Sequence, residues 1–116
     1  MYSSQLLKGT FQTIILKLVS NADRMYGYEI TQKVKILSDG EVILSEGSLY
    51  PLLHKMEEEG LVKTTREKVG NRFRRYYAIT SKGKLEGAAK VDEFARFVKT
   101  MSRLISPDTS LDFSER

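Results

Sequence analysis

Leu61 to Ile79 reads LVKTTREKVGNRFRRYYAI. Lys63, Arg66, Lys68, Arg72, Arg74 and Arg75 are basic there and Glu67 is acidic, six charges against one, or +5. The whole 116-residue chain carries +4, so the remaining residues together sit near −1. Strand formers dominate on both sides of Gly70-Asn71-Arg72. The segment therefore predicts two strands, 61–69 and 73–79, joined by a turn that glycine and asparagine tolerate. Charge gathered on one hairpin makes a local positive field, which suits a polyanion better than it suits general solubility.

The segment before the hairpin predicts a helix over about 46–59, stopped at Gly60. Leu49, Leu52, Leu53 and Met56 fall on one side of it, at offsets of zero, three, four and seven, and must face a core. Gly47, Pro51, His54 and Glu58 fall opposite, with Ser48 and Lys55 beside them and Tyr50 on the flank. The exposed face is small, uncharged or basic at its N-terminal half and carries Glu57, Glu58 and Glu59 at its end. Such a helix can enter a DNA groove by its first turns, and its unpaired N–H groups suit a phosphate. Ser45 and Ser48 are both candidate N-caps. A start at Ser48 places Pro51 in the first turn; a start at Ser45 costs one helical hydrogen bond.

Upstream, Leu7, Phe11, Ile14, Ile15 and Leu18 predict a first helix over about 5–20, with Leu6, Leu16 and Val19 widening its apolar surface. Tyr28, Ile30, Val34 and Leu37 predict a second over about 27–38, ended by Ser38-Asp39-Gly40 with glycine in a left-handed cap. Val42, Ile43 and Leu44 fit a short strand closing a small sheet. Thr80 predicts the cap of a long helix over 81–105, about 36 Å at 1.5 Å per residue. The expected architecture is mainly α with a small β wing: residues 1–80 as a winged helix-turn-helix, 81–105 as a dimerisation helix, and 106–116 as a poorly ordered tail.

Composition narrows the function. The chain has no cysteine and one histidine, His54. Thiolate metal sites and cysteine nucleophiles are excluded, and no metal-ligand spacing, phosphate loop or nucleophile elbow appears. The expectation is no enzyme, no metal and no cofactor. No run approaches the roughly 18 apolar residues of a membrane span, and no signal pattern opens the sequence; a cytoplasmic protein without membrane contact is expected. The pI of 9.3 permits nucleic-acid binding.

In the last helix Val91, Phe94, Val98, Met101 and Ile105 repeat at three, four, three and four, a heptad seam. Phe97 and Leu104 add a second apolar row. An uncovered stripe of this length is large for a monomer. The expected cover is a second copy of the chain; the competing arrangement folds the helix back on the first helix of its own chain.

With these residues in place, the sequence resembles the PadR family of bacterial transcriptional regulators, in its short-tailed branch. The matching stretches are LLKGT at Leu6 to Thr10, YGYEI at Tyr26 to Ile30, LSEGSLYPLLHKMEEEGLV at Leu44 to Val62, RRYYAIT at Arg74 to Thr80, and Lys82-Gly83. Phe73 departs from the pattern, where a basic residue often lies. The resemblance implies a homodimeric repressor that binds double-stranded DNA and leaves a palindromic operator when an effector binds. It implies DNA contacts from Ser45, Gly47, Ser48, Tyr50, Pro51, His54, Lys55, Arg72, Arg74, Arg75 and Tyr76. In the multidrug-binding branch an aromatic residue of the long helix lines a pore at the dimer centre; Phe94 stands at the matching offset, as phenylalanine rather than tryptophan. Phe94 and Phe97 are thus candidate contacts for a small aromatic or lipophilic effector, with Asp92 and Glu93 favouring a cation, and Phe94 equally fits plain dimer core. The alternative function is a winged-helix module that uses its face for a protein partner without sequence-specific DNA binding.

Overall fold

The computed structural model describes residues 2–106. The expected tail at 106–116 falls, apart from Ser106, outside the described residues. The elements run α1 (Ser4–Leu7), α2 (Phe11–Ser20), β1 (Met25–Tyr26), α3 (Gly27–Leu37), α4 (Glu46–Glu58), β2 (Val62–Val69), β3 (Arg72–Ile79) and α5 (Ser81–Ile105). The three strands form one antiparallel sheet in the order β1-β3-β2. Helices with a two-stranded wing, followed by one long helix, give the winged helix-turn-helix arrangement expected from the sequence.

Three local expectations change. The first helix is broken into α1 and α2 because Gly9 adopts φ +90°, a region open to a residue without Cβ. The apolar periodicity continues across the break although the backbone does not. Thr10 closes the corner, its N–H donating to the Leu7 carbonyl at 3.0 Å and its hydroxyl to the same oxygen at 2.7 Å. Val42 to Leu44 forms no strand. The Val42 N–H donates to Ser38 Oγ at 3.0 Å, so a side chain takes the donor a strand would need, and Leu44 inserts into the core. The third strand is instead Met25–Tyr26, paired with Tyr77 and Tyr76. The wing turn also tightens: Val69 pairs with Arg72, leaving Gly70-Asn71 as the two-residue connection, with Gly70 at φ +62°.

The core lies where α2, α3, α4 and the sheet converge. Ile15, Leu16, Val19, Ile30, Leu49, Leu53, Met56 and Leu61 are fully buried. The inward side of α2 is therefore Ile15-Leu16-Val19, while Phe11, Ile14 and Leu18 pack at its margin. On α3, Ile30 and Val34 point inward as expected, but Tyr28 and Leu37 are exposed. Leu49, Leu53 and Met56 of α4 all reach the core, with Leu52 packed beside them. Burying each such side chain fully stabilises the fold by about 1.5–3 kcal/mol.

The helix α5 begins against this core and then leaves it. Thr80 caps it, accepting from the Gly83 N–H at 3.0 Å and donating to the Gly60 carbonyl at 2.6 Å. Lys82 Nζ donates to the Glu59 carbonyl at 2.7 Å. Gly83 and Gly87 are buried, and a Cβ on Gly87 would touch Leu16 Cβ at 3.4 Å. The first part of α5 thus does pack on α2 of the same chain. The remainder projects outward, giving the molecule a long axis of 59 Å against 29 and 23 Å.

Candidate nucleic-acid interface

Ser45 caps α4: its Oγ accepts from the Ser48 N–H at 3.2 Å. This settles the choice between the two serines. Pro51 then lies inside the helix, and the Gly47 carbonyl is left without its helical donor on an exposed face. Gly47, Ser48, Tyr50, Pro51, His54 and Lys55 are all exposed. Two acids at the end of α4 have side-chain neighbours. Thr64 donates to Glu57 at 3.0 Å, and His54 Nε2 lies 3.4 Å from Glu58 one turn away.

The wing meets α4 across a cleft of about 290 Å³ lined by Tyr26, Gly27, Tyr28, Tyr50, Val69, Arg72, Phe73, Arg74 and Arg75. The start of α3, Tyr50 of α4 and three arginines of the wing thus converge on one concavity. Strand alternation distributes the wing residues. Tyr77 and Ile79 share the inward face with Phe73 and Arg75, while Arg72, Arg74 and Tyr76 share the outward one. Tyr77 is buried, and that burial pushes its hydroxyl pKa up. Arg75 is exposed. Arg66 lies over Phe73, 4.6 Å from the ring centroid, so Phe73 holds a cation it does not itself carry.

The outward face holds a cluster that the sequence did not reveal. Arg24 stacks on Tyr76 at 3.8 Å, and Arg74 stacks on Tyr26 at 4.0 Å. The two tyrosine rings meet edge to face, with centroids 5.6 Å apart. Arg24 also forms a forked ion pair with Glu67, one arm of it at 3.1 Å. That hydrogen bond holds the Glu67 carboxyl below the usual carboxylate range and Arg24 above the usual guanidinium value. Tyr76, expected as a DNA contact, is half-buried in this cluster. Arg74 is half-buried too; its Nη1 lies 3.5 Å from the Tyr76 hydroxyl, which raises its pKa further. Arg24 and Tyr26 escape a reading by segment because their partners lie some fifty residues away in the chain; the run Arg24-Met25-Tyr26 beside a basic hairpin was the available signal.

On α5, Phe94 and Phe97 are 43% and 55% exposed. A cavity of about 590 Å³ opens between α2 and α5, lined by Lys17, Ser20, Lys84, Gly87, Ala88, Val91, Asp92 and Ala95. Neither phenylalanine lines it. Among the described residues no group of His, Cys, Asp or Glu is placed to hold a metal, and no helix is long and apolar enough to cross a membrane.

Comparison with known proteins points one way. Residues 15–89 match the model of the transcriptional regulator PadR-like family. The transcriptional regulator Rv3488 of Mycobacterium tuberculosis is 34% identical over 79 residues, spanning 66% of this chain and 71% of its own. A transcriptional regulator from Clostridium thermocellum superposes with a TM-score of 0.81 at 29% identity, covering 89% of this chain and 97% of that one. A PadR-like transcriptional regulator from Bacillus cereus superposes with a TM-score of 0.73 at 34% identity, covering 88% and 97%. With its sequence and its fold matched in this way, the chain belongs to the PadR-like family of transcriptional regulators, proteins that bind DNA.

Proposed function

We propose that the protein is a homodimeric, cytoplasmic repressor that reads a palindromic operator and is released from it by a small aromatic or lipophilic effector. Residues 1–80 supply the DNA-binding unit and 81–105 the dimerisation helix. The observation that carries the reading is the cleft between Tyr50 of α4, the start of α3 and the wing, which gathers Arg72, Arg74 and Arg75 beside the exposed face of α4. In this reading Ser45, Gly47, Ser48, Tyr50, Pro51, His54 and Lys55 face the major groove. Arg72 and Arg75 take phosphates, with Arg74 and Tyr76 at the edge of the footprint.

The dimer is supported by the continuity of one stripe. Gly83 and Gly87, buried against the domain, continue at helical spacing into Val91, Phe94, Val98, Met101 and Ile105. The last of these is 73% exposed. A second α5 is the self-complementary cover for such a seam. Two groove helices about 34 Å apart then reach successive major grooves. Because Thr80 and Lys82 bond to the end of α4, a change in the angle between two α5 helices moves the recognition helices with it. An effector between Phe94 and Phe97 of two chains shifts that equilibrium by its differential affinity.

Gel shifts on operator and random DNA at two salt concentrations, beside sedimentation of the free protein, test the proposal. Specific, steeply salt-dependent binding by a dimer is the expected result. Salt-insensitive or absent binding would favour the protein-interaction alternative.

A further inference from the structure

The wing is a ribbon with little beside it. The β2–β3 ladder runs from Val62↔Ile79 out to Val69↔Arg72, whereas β1 pairs with β3 only at Tyr76 and Tyr77. Beyond that point no third strand among the described residues supports the hairpin. A two-stranded ribbon is marginal in water on its own, and its direction decides where its arginines lie.

Arg24 supplies a cross-tie. It precedes β1, yet its guanidinium crosses over the ring of Tyr76 on β3 and grips Glu67 on β2 with both arms of its fork. In strand register Glu67 stands directly opposite Arg74, an obvious partner. Arg74 instead stacks on Tyr26. The two arginines therefore lace the three strands in opposite directions across the Tyr26–Tyr76 pair. An isolated exposed ion pair contributes little, but a forked pair stacked on an aromatic ring has a defined geometry, and orientation is what a ribbon lacks.

We propose that Arg24 and Glu67 form a strap that sets the direction of the wing, which makes Arg24, outside both wing and recognition helix, a positioning residue for DNA binding. The inference rests on the DNA-binding reading above. It also reverses the sign that simple electrostatics assigns to Glu67. As a bare acid among phosphate-binding arginines, Glu67 would repel DNA and its removal would strengthen binding. As one half of a strap, its removal weakens binding although the wing becomes more positive.

The test compares wild type with Arg24→Lys, Glu67→Gln and the double variant. Arg24→Lys keeps the charge and loses the fork. Amide hydrogen exchange on the free protein should speed up between Thr65 and Tyr76 in each variant and stay unchanged at Ile15 and Leu53. Affinity for operator DNA should fall roughly three- to tenfold in each single variant, the scale of a small surface network. The double variant should be no worse than the weaker single one. The salt slope should be unchanged, since no phosphate contact is removed. Tighter binding by Glu67→Gln, unchanged wing exchange, or full activity of Arg24→Lys overturns the strap. Arg24→Ala is added to separate a strap from a phosphate contact: a salt slope lowered by about one in that variant overturns the strap too, by making Arg24 a direct phosphate contact. If the wild type binds no DNA, the functional reading fails and the positioning role with it, while hydrogen exchange still reports whether the strap holds the wing.

Discussion

Tyr50 on α4 occupies the space that a side chain on Gly27, the first residue of α3, would need. A Cβ on Gly27 would lie 2.8 Å from Tyr50 Cζ and 3.0 Å from Cε1. Gly27 thus leaves room for the Tyr50 ring in its present position, and its backbone angle is ordinary. The contact joins the two helices of the helix-turn-helix beside the exposed face of α4. Gly27→Ala should displace the Tyr50 ring while preserving the fold. Binding to the preferred site should lose about 1–3 kcal/mol, the worth of one base contact, with little change on random DNA. In a Tyr50→Ala background the same substitution should be neutral, and paired gel shifts measure both.

Arg74 and Arg75 are adjacent in the chain but differ in duty. Arg75 is exposed beside the cleft, and Arg74 is committed to Tyr26. Arg75→Ala should lower affinity on every sequence and reduce the salt slope by about one. Arg74→Ala should lower affinity with a smaller change in slope, because it loosens the sheet edge more than it deletes a phosphate contact. Equal slopes for the two would remove the distinction.

Gly83 is the tightest point between α5 and the rest of the domain. An added Cβ would meet the Leu61 backbone and lie 2.8 Å from Ile79 Cδ1. The backbone cannot yield as a flexible side chain would. Gly83→Ala should cost about 1–3 kcal/mol of stability, the range for overpacking, read as a lowered denaturant midpoint at unchanged m-value.

Substitutions at Phe94 and Phe97 test the proposed dimer and the proposed ligand separately. Phe94→Ala is expected to leave a folded dimer with weaker binding of a flat aromatic probe, and Phe97→Ala to act alike. Sedimentation beside probe titration checks this. Loss of the dimer in Phe94→Ala would make that residue interface core and move attention to the cavity between α2 and α5. Linkage requires DNA to lower probe affinity by the same factor by which the probe lowers DNA affinity.

The strap has a pH signature. The Arg24 hydrogen bond depresses the Glu67 carboxyl in the folded protein. A depressed carboxylate contributes its stabilisation above the unfolded pKa and loses it as pH falls through the folded one. Protection of the wing amides, corrected for the intrinsic pH dependence of exchange, should therefore hold at neutral pH and drop only below the usual carboxylate range. In Glu67→Gln that acid-side loss of protection should be missing.

The succession of apolar helices and basic hairpin, the long helix, its Thr80 cap and the inward face of α4 were legible in the sequence, because each is set by periodicity or by a residue acting on its own neighbours. The break at Gly9 was not, since the apolar pattern runs through it and only the backbone angle changes. Tyr28 and Leu37 share the spacing that marks the second helix with Ile30 and Val34 yet are exposed, because the sector of α3 that is covered depends on where α4 and the sheet lie. The site shows the same division. The wing's charge and the exposed face of α4 follow from composition and helical geometry alone. That Tyr50 needs a glycine opposite it, that Tyr76 faces Arg24 rather than open solvent, and that Met25–Tyr26 is the third strand were decided only by tertiary structure. These are pairings between residues far apart in the chain, and nothing local in either partner specifies the other.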